Sequence, residues 1–319
     1  MKLMTSSNTT NTPDISIVVP VYGCDGTLKK LYERVCTAVA SIHTSFEMIF
    51  VDDCGPGQPW VLINALAMQD SRVIGIKLSR NFGQHYAITA GVDFSRGNWL
   101  VVMDCDLQDR PEEIPRLWAK AQEGFDVVVG SRVERQDGFL KRIASKVFHR
   151  TLSFMTDHAS DATHANFGIY SRRVIDELKK LPEQARAFPL LIRWLGFNAT
   201  SIEIRHDERM DGKSSYNLSR MLSLATDLIV SYSNKPLKIF VQAGFIISLS
   251  SLLCGICLIV LYLYMGYLVP GWTSVMVSLY FLAGILLFGM GILGIYIGRI
   301  FNQIKGRPLY VVSDITPRR

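Results

Sequence analysis

The stretch Leu100-Val101-Val102-Met103-Asp104-Cys105-Asp106-Leu107-Gln108-Asp109 decides the fold. Four apolar residues in a row read as a strand buried on both faces. Two carboxylates follow at once, at i and i+2, where the chain leaves the pleat. The same arrangement recurs along the chain. Residues 15–19 (ISIVV) run into Pro20-Val21-Tyr22, residues 48–51 (MIFV) into Asp52-Asp53, and residues 73–77 (VIGIK) lead to Arg80-Asn81-Phe82-Gly83. Residues 127–129 (VVV) form a fifth run, and helical stretches are predicted between the runs at 28–42, 59–69, 85–94 and 112–123. Short Val/Ile strands alternating with helices predict an α/β domain with a doubly wound, mostly parallel, Rossmann-like sheet. Ligands on such sheets bind at the carboxyl ends of the strands, where all four polar clusters fall.

Of these clusters, Asp104-Cys105-Asp106 carries the most chemistry. Two carboxylates on one loop can approach a divalent cation from the same side. Mg²⁺ or Mn²⁺ suits such a pair, because these hard cations take one or two carboxylates and complete their shells with phosphate oxygens and water. Asp104 and Asp106 are therefore the candidate metal ligands. The chain has no GxxxxGK[ST], no GxGxxG after its first strand and no GxSxG, so P-loop, dinucleotide and serine-hydrolase readings lack their defining residues. His158 and His164 share a loop without a convincing metal partner.

Residues 239–298 contain no Asp, Glu, Lys or Arg. The run is interrupted only around Pro270-Gly271, which divides it into apolar stretches at 239–265 and 274–298, each beyond the ~20 residues needed to cross a bilayer. Lys235, Lys238, Arg299, Lys305, Arg307, Arg318 and Arg319 flank the pair while the loop between is uncharged. The positive-inside rule then predicts two spans of the inner (cytoplasmic) membrane with both termini and the N-terminal domain cytoplasmic. Residues 1–13 are polar, lack an apolar h-region and read as a disordered tail. The net charge of +6 is not concentrated in a patch with stacking aromatics, so it is read as a face toward anionic lipid and not toward nucleic acid. The six cysteines show no metal spacing and read as thiols of a reducing compartment. Cys254 and Cys257 form a CxxC within a span, where packing explains them.

These motifs, in this order, resemble the GT-A glycosyltransferases of family two, in the branch that uses polyprenyl phosphates. IVVPVY, FVDD, LSRNFGQHYAITAG, VVMDCDLQD, GSR, FLKR, RMDGKSSY and GRIFNQIKGRPLYVV carry the resemblance over nearly the whole chain. It implies transfer of one sugar, with inversion, from a nucleotide-sugar such as UDP-glucose or a related UDP-hexose to undecaprenyl phosphate. By the same resemblance Pro20, Tyr22, Asp52 and Asp53 line the base and ribose pocket, and Asp104 and Asp106 hold nucleotide and metal beside Gln108. Arg132, Arg142, Arg209, Lys213 and Ser214 surround the donor diphosphate and the acceptor phosphate, with 211–216 as a mobile loop.

The chain departs from the family pattern in three places. Gly23-Cys24-Asp25 follows PVY, Cys54-Gly55-Pro56 follows VDD, and Ala165-Asn166-Phe167-Gly168 replaces Gly-Asp-Phe-Arg in a stretch expected near the sugar. A processive polysaccharide synthase is disfavoured because Leu190 stands where QxxRW requires Gln and two spans are few for a channel. A transporter or a non-catalytic scaffold has no use for the clustered rim, and the spans lack ionisable groups. The predicted organisation is a catalytic domain over 14–215, an amphipathic juxtamembrane helix over 216–235, an anchor over 236–300 and a cytoplasmic tail over 301–319. Gly294 and Gly298 form a GxxxG that predicts either homo-oligomer contacts or packing of the two spans of one chain.

Overall fold

The computed structural model describes residues 12–132, 164–205, 233–265 and 271–317. The chain forms two compact units, one built on a sheet and one on two long helices.

The sheet has eight strands. Strands β1 (Ile15–Val21), β2 (Phe46–Asp52) and β3 (Val73–Leu78) run parallel, with β4 (Trp99–Val102) parallel to β1 on its other side. The order β7-β5-β6-β4-β1-β2-β3-β8 therefore reverses direction at β1. That reversal opens a crevice between the ends of β1 and β4, the position at which doubly wound sheets take ligands. Every residue of β1 and β2 is buried, as the uninterrupted Val/Ile runs require. Helices α1 (Leu28–Ala40), α2 (Pro59–Gln69), α3 (Gln84–Phe94) and α4 (Ile114–Ala121) connect the parallel strands. A short 3-10 turn at Pro111–Glu113 precedes α4 where one continuous helix was predicted over 112–123, because Pro115 in the first turn of α4 cannot donate the amide that a longer helix would need.

Beyond β5 (Val127–Arg132) the fold contains elements the strand pattern did not predict. β6 (His164–Ser171) runs antiparallel between β4 and β5, and β7 (Ala199–Ile204) lies parallel to β5. Helices α5 (Arg172–Lys179) and α6 (Phe188–Trp194) lie between β6 and β7. At the far edge β8 (Val312–Ile315) pairs antiparallel with β3. The segment 301–319, expected as a tail, thus supplies a strand, and Thr316 is buried with its hydroxyl accepting from the Gly75 amide at 2.8 Å. Capping the β3 edge in this way removes an exposed ladder of backbone groups.

A buried polar network holds the base of the sheet opposite the crevice. Glu47 accepts from the Ser16 hydroxyl at 2.7 Å, the Arg96 amide at 2.7 Å and the Arg96 guanidinium at 2.9 Å. Its burial is tolerable because these donors satisfy the charge.

In the second unit α7 (Lys235–Met265) and α8 (Trp272–Ile304) contain apolar segments of mean hydropathy 2.0 and 2.2, long enough to cross a membrane. Their apolar side chains are largely exposed, as expected of a lipid-facing surface and not of a soluble core. Gly289 packs against the Phe240 ring, whereas Gly294 and Gly298 face open space. The two helices of one chain therefore approach at Gly289, not at the predicted GxxxG. The juxtamembrane helix expected over 216–235 lies largely outside the described residues.

Candidate active site

Residues 104–109 alternate in burial. Asp104, Asp106 and Gln108 are partly open, whereas Cys105, Leu107 and Asp109 are buried. Both predicted carboxylates and Gln108 keep solvent access on the loop that leaves the pleat after β4, while their neighbours are buried. Leu107, at φ 60° and 2 % exposed, turns the chain in a backbone region that side chains rarely adopt. The turn is closed by the Gln108 amide donating to Asp106 Oδ1 at 3.1 Å. A buried apolar side chain anchors a turn whose purpose is to present its polar neighbours.

Four loops meet at this end of the sheet, and each is fastened to the next. The loop after β1 approaches the loop after β2 so closely that a Cβ on Gly55 would lie 2.5 Å from Gly23 N and 2.9 Å from Tyr22 Cα. Only glycine fits between two backbones at that distance. Asp25 Oδ2 accepts the Gln58 amide at 2.7 Å across the same seam. The second loop holds the third through Asp53, whose two oxygens accept the amides of Phe82 at 2.7 Å and Gly83 at 2.8 Å. The third reaches the fourth through Gln84, whose Nε2 donates to Asp104 Oδ1 at 2.6 Å. The fourth returns to the first through Thr27, whose hydroxyl donates to the Cys105 carbonyl at 2.7 Å, and through a Cys24–Cys105 disulfide.

The disulfide corrects the expectation that all six cysteines are thiols. Eighty-one residues separate Cys24 from Cys105 in sequence, yet the crevice between β1 and β4 brings their Cα atoms to 6.1 Å, a bridging distance. Cys36, Cys54, Cys254 and Cys257 are free. The seam also accounts for the two departures around the first loops. Gly23-Cys24-Asp25 and Cys54-Gly55-Pro56 are the residues that clasp the loops together.

Pro20 and Tyr22 lie at and just beyond the end of β1. Pro20 sits past the last β1–β4 pair, Val18 with Val102, so its missing amide interrupts no bond to β4. The Tyr22 ring is 56 % exposed at the crevice mouth. Asp52 and Asp53 are buried, and burial pushes both carboxyls up. The Cys54 amide on Asp52 and the Phe82 and Gly83 amides on Asp53 oppose that rise. Asp53 is accordingly engaged in shaping the rim itself. His85, beside Gln84, is pushed down by burial, so its neutral form is favoured. Arg132 ends β5, on the strand that runs in the same direction as β4. Arg142, Arg209, Lys213, Ser214 and the loop 211–216 lie outside the described residues. Asn166, Phe167 and Gly168, expected near the sugar, belong to β6, where Gly168 pairs with Val102 and Val129 and Phe167 is fully buried.

No group of three or more His, Cys, Asp or Glu side chains able to hold a metal occurs among the described residues. The rim offers two partly open carboxylates instead. That donor set fits a hard divalent cation that draws its remaining ligands from phosphate and water, and it would not fit zinc, which takes three or four protein donors.

The model of the family described as "Glycosyl transferase family 2" matches residues 16–179. The chain belongs to that family. This glycosyltransferase is 38 % identical over 299 residues to the "Uncharacterized glycosyltransferase YkcC" of Bacillus subtilis, covering 93 % of each chain. It is 36 % identical over 307 residues to an "Undecaprenyl-phosphate 4-deoxy-4-formamido-L-arabinose transferase" of Salmonella choleraesuis, covering 94 % of this chain and 93 % of the other. Among solved structures the glycosyltransferase is similar to glucosyl-3-phosphoglycerate synthase from Mycobacterium tuberculosis in complex with Mn²⁺, UDP-glucose and phosphoglyceric acid. The TM-score is 0.51 at 15 % identity, covering 69 % of this chain and 78 % of the other. The likeness establishes the GT-A fold that the family resemblance implied, built on the doubly wound sheet predicted from the strand pattern. Sequence reasoning had not assigned Gln84 or Thr27 to the site. Gln84 stands inside the motif quoted for the family, but its contact with Asp104 depends on a pairing of loops that no linear spacing displays.

Proposed function

We propose that this glycosyltransferase moves a single sugar from a nucleotide-sugar, UDP-glucose or a related UDP-hexose, onto undecaprenyl phosphate, with Mg²⁺ or Mn²⁺ held by Asp104 and Asp106. The observation that carries the reading is that Asp104, Asp106 and Gln108 stay solvent-accessible on the loop that leaves β4, at the β1–β4 switch point. The relative named for an undecaprenyl-phosphate transfer supports the acceptor, and the Mn²⁺ and UDP-glucose named for the solved neighbour support a cation and a nucleotide donor. When bound, the cation would supply positive charge to the leaving diphosphate. The residues of the chain place the two substrates. Pro20, Tyr22, Asp52 and Asp53 border the side of the crevice proposed for base and ribose. Arg132, Arg142, Arg209, Lys213 and Ser214 are proposed around the phosphates. A phosphate monoester has its second pKa near about 6 and is already largely ionised at neutral pH, so the acceptor is its own nucleophile and needs placement more than deprotonation. The product would be a lipid-linked sugar for envelope or O-antigen glycosylation.

The test uses the full chain in detergent with undecaprenyl phosphate and a panel of radiolabelled nucleotide-sugars. Label is expected in an organic-extractable product carrying one sugar per lipid. Label appearing in a polymer, or only as free sugar, would overturn the proposal.

The two apolar helices are proposed as spans of the cytoplasmic membrane, with the sheet unit on the cytoplasmic side. β8 follows both spans and pairs within the same sheet as the strands that precede them. An even number of crossings is thereby favoured, and the flanking Lys and Arg favour the cytoplasmic side. A cysteine introduced at Gly271 is expected to react with an impermeant thiol reagent added to intact cells, and one introduced at Ser313 is not. The reverse labelling pattern would sink the topology.

A further inference from the structure

The third loop of the rim is held at both ends, and the two holds lead to the proposed cation ligand. On one side Asp53 accepts the amides of Phe82 and Gly83, so the loop is fixed by a buried carboxylate that immediately follows β2. Gly83 sits at φ +105°, a conformation that an L side chain adopts only with strain, and this turns the chain into the start of α3. The Arg80 guanidinium lies 4.0 Å over the Phe82 ring and covers the loop from outside. On the other side Gln84, the first residue of α3, donates from Nε2 to Asp104 Oδ1 at 2.6 Å.

We infer that Gln84 is a positioning residue for the metal carboxylate. It orients Asp104 for the divalent cation and is itself set by the Asp53-anchored turn. The inference rests on the reading of Asp104 as a cation ligand. The residue type suits the task. A carboxylate turns easily about Cβ–Cγ, and a short hydrogen bond to one of its oxygens biases that torsion. An Arg or Lys in the same place would orient the carboxylate but also neutralise it and repel the incoming cation. A neutral amide orients it and leaves the negative charge in place. Ligands held by such outer partners are the general arrangement at metal sites. With only two protein carboxylates proposed for the cation, the orientation of each has a large share in affinity.

The experiment measures Mn²⁺ binding to the detergent-solubilised full chain by electron paramagnetic resonance, with Mn²⁺ alone as the probe. It compares wild type, Gln84→Met, Gln84→Ala and Asp104→Asn. Gln84→Met keeps length and helix propensity and removes the amide that donates to Asp104, and Gln84→Ala removes the exposed side chain altogether. Both are expected to weaken Mn²⁺ binding by about tenfold, the usual loss for an outer partner of a metal ligand. In transfer assays the Mn²⁺ concentration for half-maximal rate should rise by a similar factor, while kcat at saturating Mn²⁺ changes little. Mn²⁺ affinity in both Gln84 variants equal to wild type, with Asp104→Asn losing it, would overturn the inference alone. Unaltered affinity in Asp104→Asn would overturn the reading of Asp104 on which it rests.

Discussion

Asp106→Ala is expected to remove sugar transfer, with a fall in kcat/KM of about a thousandfold, the upper end of what one preorganised electrostatic contact supplies. The described residues bring no third carboxylate, histidine or cysteine into a metal-holding group, so loss of one of two ligands leaves a cation with little protein to hold it. The leaving nucleoside diphosphate then departs without its countercharge. Folding should survive, because Asp106 is partly open on a loop and closes its turn through the Gln108 amide at 3.1 Å. A lost side-chain cap of this kind costs on the order of 1 kcal/mol. Asp104→Ala should fall nearly as far and should also release Gln84. Chelation by EDTA is expected to silence the wild type, with activity restored by added Mn²⁺ or Mg²⁺. Circular dichroism and a thermal melt separate loss of chemistry from loss of fold. Full transfer in EDTA would sink the metal assignment, whatever the alanine variants do.

The parallel core was legible because burial on both faces leaves a mark that needs no partner to be read. The runs in β1, β2 and β3 are apolar without alternation, and only a strand covered by helices above and below tolerates that. The rim followed from the same runs, since polar clusters placed after buried strands must fall at their carboxyl ends. β6, β7 and β8 left no comparable mark. β6 contains Asn166 and Gly168 and takes its place from antiparallel pairing with β4 and β5. β7 is partly exposed along most of its length. β8 is four residues long and includes Ser313 and Asp314. Its partner β3 lies more than two hundred residues away across both apolar helices, a separation no local pattern reports. The fasteners of the rim are of the same kind. Gln84 to Asp104, Thr27 to Cys105 and Cys24 to Cys105 each join two loops, so their residue types are visible in the sequence while their partners are not.

Arg142→Ala is expected to raise the KM for undecaprenyl phosphate by about ten- to hundredfold while leaving the KM for nucleotide-sugar near its wild-type value. Arg142 lies outside the described residues, and its assignment rests on the FLKR motif within the part of the chain that the family model matches. Two anionic substrates must approach each other, and the proposed cation at Asp104 and Asp106 serves the donor, so the acceptor phosphate needs cations of its own. A charge-assisted hydrogen bond to phosphate is worth roughly 1.5 to 3 kcal/mol, which converts to the stated loss. Lys at the same position should restore only part of it, because an ammonium supplies charge without the planar fork that binds two phosphate oxygens at once. Slow hydrolysis of the nucleotide-sugar by water should persist in the alanine variant, since that reaction uses the donor half of the rim alone. Steady-state kinetics with each substrate varied in turn checks the split. An unchanged acceptor KM together with weakened nucleotide binding would move Arg142 to the donor side and leave Arg132, Arg209 and Lys213 to hold the lipid phosphate.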